Sequence, residues 1–302
     1  MMNTPETIFF LGKGGTGKST ASVLFSLELA RKGKKVLLAS FDDAHNLSDI
    51  FEQSLSHKPR RINAGLEVLQ VDRDREIKAY LALTTQKVKQ SYAYLTAFNM
   101  DNYFEVLKYS PGMEAHALAT AFTALKEKHK ACDYLVIDMP PTALSMHFFN
   151  LPALSLLWVE QLEKLRTEIN QRKEIISRIK FAGKEIQRDK VLARIQELKS
   201  SHLELKQFFQ DKRLARFFAV HNGDRLSLAE TQRIITQLTG LNIKLDALIF
   251  NHRNANDTDN LENPYPSFPV LNLPYSPDPL IGVETLDRYA RSQNICFSPI
   301  LP

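Results

Sequence analysis

The sequence feature that most constrains this chain is a glycine-rich segment, GKGGTGKST, at residues 12–20. The apolar run 8–11 before it predicts a buried strand, and apolar residues at helical spacing over 21–32 predict a helix after it. In this context the pattern G-x-x-x-x-G-K-[ST] predicts a phosphate-binding loop, or P-loop. The alternative is a glycine-rich turn that binds nothing, and the complete motif between a strand and a helix argues against it.

The residue types of this loop suit a nucleoside triphosphate with its metal ion, so ATP and Mg²⁺ are the expected cofactors. Glycines let the backbone turn its N–H groups toward phosphate oxygens, and the helix N-terminus adds partial positive charge. Lys18 is expected on the β- and γ-phosphates, and the Ser19 hydroxyl is expected on Mg²⁺. The expected nucleotide-binding residues of the loop are Gly12, Lys13, Gly14, Gly15, Thr16, Gly17, Lys18, Ser19 and Thr20.

A lysine directly after the first glycine is not needed by an ordinary P-loop. The string G-K-G-G-x-G-K-[ST] resembles the deviant Walker A motif of the signature-lysine ATPases. That resemblance implies that Lys13 reaches across a dimer interface to the partner's nucleotide, and so implies a homodimer. A second cation on the transferring phosphoryl group accelerates hydrolysis as an arginine finger does. The alternative for Lys13 is a solvated loop lysine.

Composition is that of an ordinary globular chain, with 302 residues, 44% hydrophobic and 24% charged. The cysteines Cys132 and Cys296 are far apart in sequence, which fits a reducing compartment and predicts neither a disulfide framework nor a zinc site. The first apolar run already leads into the P-loop, and the run 151–159 is short and contains a proline, so we expect neither a signal peptide nor a membrane span. A soluble, cytoplasmic protein is expected.

The second predicted strand, 36–40, is followed by DDAHNLSDIF at 42–51. This string resembles switch I, D-P-A-H-N/S-L-S-D-A-F, of the arsenite-pump ATPase and tail-anchored-protein targeting family. An acid at the end of a strand beside a P-loop can orient the attacking water, and we assign that role to Asp42, with a helix cap as the alternative. The resemblance implies that His45, Asn46 and Asp49 sense the nucleotide. Asp43 replaces the proline of the family.

The apolar strand 134–138 ends in Asp138, as a Walker B strand does, and this acid is expected to hold Mg²⁺ through its water shell. The following residues resemble switch II of the same family, in which Pro141 and Thr142 match. Ala143, Leu144 and His147 replace a glycine, a histidine and an arginine of that pattern, so switch II is expected to couple nucleotide state to shape differently.

Residues 151–213 are expected to form a helical hairpin inserted into a core made of 1–150 and 214–302. Apolar residues recur at helical spacing on both sides of Phe181-Ala182-Gly183. This region matches the position of the helical subdomain in the family, where it binds membrane-protein clients. The two apolar stripes either bind an apolar client or simply pack on each other. The segment from Glu160 to Arg216 has 15 lysines and arginines against nine acidic residues, which suits anionic lipid or a solvated face.

The C-terminal part continues the resemblance. The segment 226–233, LSLAETQR, resembles a helix start of the family, and predicted strands follow at 243–250 and 270–273. The resemblance places the adenine base at Asn251 and in the loop beginning with Pro274. A carboxamide can donate to and accept from adenine together, while a capping asparagine is the alternative. The zinc-binding cysteines of the family have no counterpart, so no zinc is expected.

Together these features predict an α/β fold: a doubly wound, mostly parallel P-loop NTPase sheet with an inserted helical subdomain. The expected function is an ATP-hydrolysing, Mg²⁺-dependent homodimeric switch that serves an apolar client segment or a membrane partner. The catalytic residues would be Lys13, Lys18 and Asp42. The alternatives are the motor subunit of an arsenite-like anion efflux pump and a positioning or scaffold ATPase on DNA or a membrane surface. Nucleic acid is not expected as a partner.

Overall fold

The computed structural model describes residues 4–44, 46–91, 110, 112–180, 189–252 and 265–300, with the backbone alone for 87–91 and 173–180. The strands in these residues are β1 (Glu6–Leu11), β2 (Val36–Ser40), β3 (Arg60–Arg61), β4 (Leu66–Gln70), β5 (Tyr134–Asp138), β6 (Ala215–His221), β7 (Ala247–Asn251) and β8 (Val270–Leu273). They form one sheet in the order β3-β4-β2-β5-β1-β6-β7-β8. Every neighbouring pair is parallel except β3 and β4. The predicted doubly wound, mostly parallel sheet is therefore confirmed.

Helices cover both faces of this sheet. They are α1 (Lys18–Arg31), α2 (Asn46–Phe51), α3 (Arg73–Ser91), α4 (Met113–Lys128), α5 (Thr142–Lys180), α6 (Lys190–Gln210), α7 (Arg225–Gly240) and α8 (Val283–Ser292). A short 3₁₀ helix, Ser298–Ile300, follows α8. The predicted continuation of α3 from residue 92 to about 104 lies outside the described residues.

Alternation along β1 explains how one strand serves two cores. Phe9 faces the layer of α4 to α7, where its ring lies 5.1 Å from Phe217 and 5.2 Å from Phe149. Phe10 faces the layer of α1, α2 and α8, and its ring lies 5.5 Å from Phe25. Because both faces of a parallel sheet are covered, its strands read as continuous apolar runs, and that is the pattern by which they were predicted.

One strand prediction needs correction, and one strand was not predicted. The strand expected at 243–250 begins only at Ala247, although Ile243 and Leu245 before it are buried in the core. Burial of apolar side chains therefore extends beyond the hydrogen-bonded strand. The two-residue strand β3 was not predicted because two exposed arginines at a sheet edge carry no periodicity.

The helical hairpin consists of α5 and α6, which run antiparallel. Glu163 pairs with Lys199 at 2.7 Å, and farther along α5 the Arg166 guanidinium pairs with Asp189 at 2.7 Å, just before α6. Helix α5 begins in the core at Thr142 and passes through residue 151 without interruption. The division of the chain at 151–213 thus remains a prediction, and its first boundary falls inside a continuous helix.

The apolar run 151–159 also lies inside this 39-residue helix. By length and composition alone, the segment Thr142–Arg172 would be long and apolar enough to cross a membrane. This differs from the prediction, which judged the short run by itself. However, 44% of the most apolar part of that segment is buried inside the protein, and a core helix passes the same test.

Candidate active site

The carboxyl ends of the central strands meet at one edge of the sheet and bring together groups from distant parts of the chain. In the register of the sheet, Asp138 of β5 stands beside Phe10 of β1 on one side and Ser40 of β2 on the other. Gln70 of β4 stands beside Ser40 in turn. The P-loop follows β1 directly, so it begins at the same edge of the sheet. This edge is where ligands bind in open α/β sheets.

Two glycines of the loop are required by its geometry. Gly12 has φ +145°, and a Cβ there would lie 2.3 Å from the carbonyl oxygen of Val220. Gly17 has φ +91°, and a Cβ there would lie 2.3 Å from the side-chain nitrogen of Asn251. Both positions have a positive φ that L side chains rarely adopt. At Gly12 the close contact is with the backbone of β6, whereas at Gly17 it is with the end of the Asn251 side chain, so glycine at Gly17 is required chiefly by the backbone conformation.

The loop is also held by hydrogen bonds. The Thr16 hydroxyl donates to the Lys13 carbonyl at 2.8 Å, and the Asn251 amide donates to the Thr16 carbonyl at 3.0 Å. Asn251 thus lies beside the P-loop, where it supports the backbone.

Pro274 follows β8, and its carbonyl accepts a 2.5 Å hydrogen bond from the Tyr289 hydroxyl. Burial raises the pKa of Tyr289 to about 12. Contacts of Asn251 and Pro274 with adenine remain predictions.

Ser19 and Asp138 form a buried pair suited to a metal ion. The Ser19 hydroxyl donates to Asp138 Oδ2 at 2.7 Å, while Asp138 Oδ1 is buried without a hydrogen-bond partner. Burial raises the pKa of Asp138 to about 6, although the nearby Lys18 charge opposes the shift. A buried carboxylate oxygen without a partner is costly unless a ligand satisfies it. The donor set, a hydroxyl and a carboxylate, fits Mg²⁺ with its water shell.

Lys18 and Asp42 face each other at the same edge. The Lys18 ammonium lies 4.0 Å from Asp42 Oδ2, and only 4% of the lysine side chain is exposed. The other carboxylate oxygen of Asp42 accepts the N–H of Ala44 at 3.2 Å. A buried lysine paired with one carboxylate is a ready cationic site for phosphate. Lys18 and Asp42 are therefore close enough for both to contact the same bound phosphate group.

The predicted switch residues surround this edge in different environments. Asn46 and Asp49 are exposed on α2, and His45 lies outside the described residues. Pro141 is exposed, whereas Thr142 is buried as the first residue of α5 and its hydroxyl has no hydrogen-bond partner. The replacing residues Ala143 and His147 are exposed on the same helix. The switching roles of these residues remain predictions.

Sequence reasoning missed three residues that hold the segment after β2. The Ser40 hydroxyl contacts the backbone N–H of Asp42 at 3.2 Å, and the Gln70 amide lies 3.5 Å from the Asp42 carbonyl. Arg73 pairs with Asp43 at 2.5 Å. Ser40 and Gln70 carried a signal, since each is a polar residue at the end of a largely apolar strand. Arg73 begins a polar helix and looks like any surface arginine.

Comparison with known proteins identifies a family and several relatives. The family described as anion-transporting ATPase matches residues 5–293. Arsenical pump-driving ATPase 2 of Aquifex aeolicus, whose assignment is provisional, is 27% identical over 303 residues, covering 95% of this chain and 98% of that protein. ATPase get3 of Aspergillus terreus is 27% identical over 311 residues, covering 95% and 90%.

A third relative, an ATPase ASNA1 homolog of Cryptosporidium parvum, is 27% identical over 252 residues, covering 83% of this chain and 66% of that protein. The similarity therefore spans both the P-loop core and the region of the hairpin. The resemblance drawn from the loop and switch I is confirmed. The chain belongs to the anion-transporting ATPase family and is an ATP-hydrolysing enzyme.

Proposed function

We propose that this protein is a Mg²⁺-dependent homodimeric ATPase switch, in which ATP binding and hydrolysis drive closing and opening of the dimer. The observation that carries the proposal is the grouping of Lys18, Ser19, Asp42 and Asp138 at the mouth of the P-loop. Family membership supports ATP as the nucleotide, and the orphaned oxygen of Asp138 supports a metal ion beside it.

Each of these residues has a distinct part in the proposed mechanism. Bound Mg²⁺ supplies positive charge that neutralises the β- and γ-phosphate oxygens. Ser19 and Asp138 would hold that ion. Lys18 moves its charge from Asp42 to the phosphates, which leaves the Asp42 carboxylate free to accept a hydrogen bond from the attacking water. Lys13, partly exposed at the start of the loop, reaches the nucleotide of the partner subunit.

Asp42→Asn tests this mechanism. The amide keeps the size of the side chain but is a far weaker acceptor, so we expect ATP affinity to stay within about twofold and kcat to fall by about 10²–10⁴-fold. Steady-state phosphate release and equilibrium binding of a fluorescent ATP analogue measure the two effects. Asp74→Asn, which removes an exposed carboxylate of α3, is the matched control. Unchanged turnover in Asp42→Asn would remove the proposed role of Asp42.

The homodimer is tested with the same variant. Because Asp42→Asn is expected to hold ATP without hydrolysing it, it should accumulate in the closed, dimeric state. Sedimentation velocity with ATP and Mg²⁺ should then give a mass near twice 34.4 kDa, and removal of Mg²⁺ should shift the distribution toward monomer. A monomer that hydrolyses ATP at full rate contradicts the dimer and the role of Lys13 together.

For the output of the switch we propose an apolar client segment bound on α5. The two stripes of the hairpin differ: in α6, Ile195, Leu205 and Phe209 are buried, whereas in α5, Leu162 and Leu165 are exposed. The expectation that the two stripes simply pack on each other is therefore not met at Leu162 and Leu165. Its exposed apolar surface, here named the α5 stripe, consists of Leu154, Leu157, Trp158, Leu162 and Leu165.

The α5 stripe supports a client because its members share one side of a helix. Positions 154, 158, 162 and 165 recur at intervals of three or four residues, which places them on adjoining turns. Contiguous exposed apolar surface of this kind usually marks an interaction site. The resemblance to the tail-anchored-protein targeting family agrees with such a client, and a soluble factor working in the cytoplasm is the setting that we propose.

Trp158 provides a direct test, since it is the sole tryptophan of the chain and is 74% exposed. Addition of a 20-residue apolar helical peptide should shift its emission to shorter wavelength, and the shift should depend on the nucleotide present. A polar peptide of equal length is the control. An emission spectrum that stays unchanged at saturating peptide, with either ATP or ADP, contradicts client binding at this stripe.

The pump-driving alternative is favoured by one observation, the similarity to the arsenical pump-driving ATPase of Aquifex aeolicus. Under this alternative, arsenite-like anions would stimulate hydrolysis. The chain has two cysteines, Cys132 partly buried and Cys296 exposed, and metalloid activation through thiolates requires several close together. Titration of the ATPase with arsenite distinguishes the two: a rate increase supports the pump motor, and a flat response supports the client-binding switch.

A further inference from the structure

Asp43 occupies the position at which the family pattern has a proline, directly after Asp42. A proline fixes its own φ near −65° and restricts the residue before it, so it stiffens the start of switch I through the covalent chain. Aspartate has neither effect. Where that backbone restraint is absent, the structure has an ion pair: Arg73 Nη2 lies 2.5 Å from Asp43 Oδ2.

The same guanidinium also reaches a second acid. Arg73 Nη1 lies 3.5 Å from Glu114 Oε2. Arg73 is the first residue of α3, and Glu114 lies in the first turn of α4. The loop that carries Asp43 is therefore tied to two helix ends at once. A planar guanidinium that bridges two carboxylates restricts both more than a lysine would.

The position of Asp43 controls the catalytic geometry next to it. Asp42 Oδ1 accepts the N–H of Ala44, so the direction of the Asp42 carboxylate depends on the backbone between residues 42 and 44. Asp43 is the residue in the middle of that turn. Movement of Asp43 relative to α3 would rotate this backbone and with it the carboxylate that faces Lys18. A displacement of about 1 Å at a reacting group can cost about a hundredfold in rate.

Arg73 also affects the charge beside Asp42. Burial raises the pKa of Asp43, Arg73 lowers it, and the charge of the neighbouring Asp42 raises it further. Without the arginine, a second negative charge would stand beside Asp42 and close to the incoming γ-phosphate. Like charges at such separations repel each other and repel the substrate. Arg73 thus compensates the charge that replacement of the proline introduced.

We propose that Arg73 is a positioning residue for ATP hydrolysis, which holds Asp42 in place by bridging Asp43 to Glu114 and so substitutes an ionic restraint for the covalent one of a proline. This inference rests on the proposed role of Asp42 in orienting water. It assigns to Arg73 no contact with nucleotide or metal.

A double-mutant cycle tests the bridge. Arg73→Gln should lower kcat about tenfold with less than a twofold change in KM for ATP, since the nucleotide contacts are intact. Asp43→Asn should lower kcat less, because no uncompensated charge remains. The double variant should be no slower than Arg73→Gln, so the two effects are strongly non-additive. Arg75→Gln, an exposed arginine of the same helix, is the matched control.

Two further readouts separate positioning from general loss of structure. Asp43→Pro combined with Arg73→Gln restores the family restraint without the ion pair, and it should recover most of the lost kcat. Its kcat should also depend less on ionic strength than that of the wild type, because salt screens the partly exposed ion pair and leaves a proline unaffected. Arg73→Lys keeps the charge and should retain part of the rate. Circular dichroism checks that every variant is folded.

The outcomes distinguish this inference from the proposed function. If Asp42→Asn is inactive and the effects of Asp43→Asn and Arg73→Gln simply multiply, the inference about Arg73 is wrong while the role of Asp42 stands. Full kcat in Arg73→Gln has the same meaning. If Asp42→Asn turns over normally, the proposed function loses its water-orienting residue, and the inference about Arg73 is overturned with it.

Discussion

The nucleotide edge of the sheet and the α5 stripe show opposite departures from the usual distribution of residues in a folded protein. At the edge, Asp138 is completely buried and Lys18 is 4% exposed. On α5, Leu157 is 63% exposed and Trp158 is 74% exposed. Charged residues are almost never fully buried without partners, and large contiguous apolar surfaces are rare on monomers.

The difference between the two regions supports the proposal that they bind ligands of opposite kinds. The edge has donors and acceptors that the fold satisfies only in part, and a charged ligand with a metal ion would complete them. The stripe has apolar area that the described residues leave in contact with solvent, and an apolar partner would cover it. The same molecule therefore has a polar nucleotide site at the edge of its sheet and an exposed apolar surface on α5.

The largest expected effect is a loss of ATP hydrolysis at the nucleotide edge of the sheet. Lys13→Ala should lower kcat by about 10³–10⁵-fold, as loss of an arginine finger does, because a cation on the transferring phosphoryl group is removed. ATP binding should persist, since Lys18 and the loop backbone remain. Single-turnover hydrolysis and equilibrium nucleotide binding measure the two effects, with the exposed Lys34→Ala as control.

Mixing subunits shows whether Lys13 acts on the partner's nucleotide. Lys13→Ala and Lys18→Ala homodimers should each be nearly inactive. Their heterodimer joins an intact Lys18 pocket to an intact Lys13 from the other subunit, so the mixture should regain activity at one site. A mixture that stays as inactive as its components contradicts action across the interface.

The next effect is on stability and tests whether the buried Asp138 carboxylate is only partly satisfied without a ligand. Asp138 has its pKa raised from 3.8 to about 6, so its ionised form is disfavoured in the folded protein. The stabilising contribution of the protonated form is present below about pH 4 and is lost as pH rises through about 6. Without metal, Asp138→Asn should therefore raise the free energy of unfolding at pH 7.5 by about 2–3 kcal/mol.

Urea unfolding in EDTA at pH 4.5 and 7.5 measures this difference, which should shrink at the lower pH. The same variant should bind Mg²⁺·ATP poorly, so it gains stability and loses activity together. Asp278→Asn, at an exposed carboxylate, is the control. A wild-type protein that is the more stable of the two at pH 7.5 without metal would show that the buried carboxylate is well satisfied by the fold.

The smallest expected effect is on the affinity of the α5 stripe for an apolar peptide. Trp158→Glu should weaken binding of an apolar peptide about tenfold, because an exposed aromatic anchor is replaced by a charge. Leu226→Glu is a matched control, since Leu226 is 68% exposed on a different helix, α7. Anisotropy of a labelled peptide measures the affinity. Equal weakening by both variants would mean that the α5 stripe is no more a binding surface than any exposed leucine.

Much of the nucleotide edge could be predicted because its signals are local. The P-loop occupies nine consecutive residues, and Asp42 and Asp138 each follow an apolar run, so strand and side chain are identified together. Parallel topology then requires these strand ends to meet at one edge. The bridge from Arg73 to Asp43 and Glu114 could not be predicted, since it joins three separate segments and each partner alone looks like a surface charge.

The packing of the hairpin also could not be predicted from the sequence. Helical periodicity correctly predicted both helices, but periodicity does not say which neighbour covers an apolar face. In α6 the face is buried against the core at Phe208 and Phe209. In the part of α5 beside α6, polar pairs such as Arg166 with Asp189 lie at the contact, and Leu162 and Leu165 are exposed.

The amino-acid sequence by itself determined the α/β class, the phosphate loop and the acids that belong to it, because local steric and periodic patterns specify strands, helices and glycine turns. Only the tertiary structure decided that Asp138 keeps an unsatisfied oxygen, that Arg73 pairs with both Asp43 and Glu114, and that the α5 stripe is exposed. The physical reason is that burial and ion pairing depend on which distant segments meet, and no local pattern contains that information.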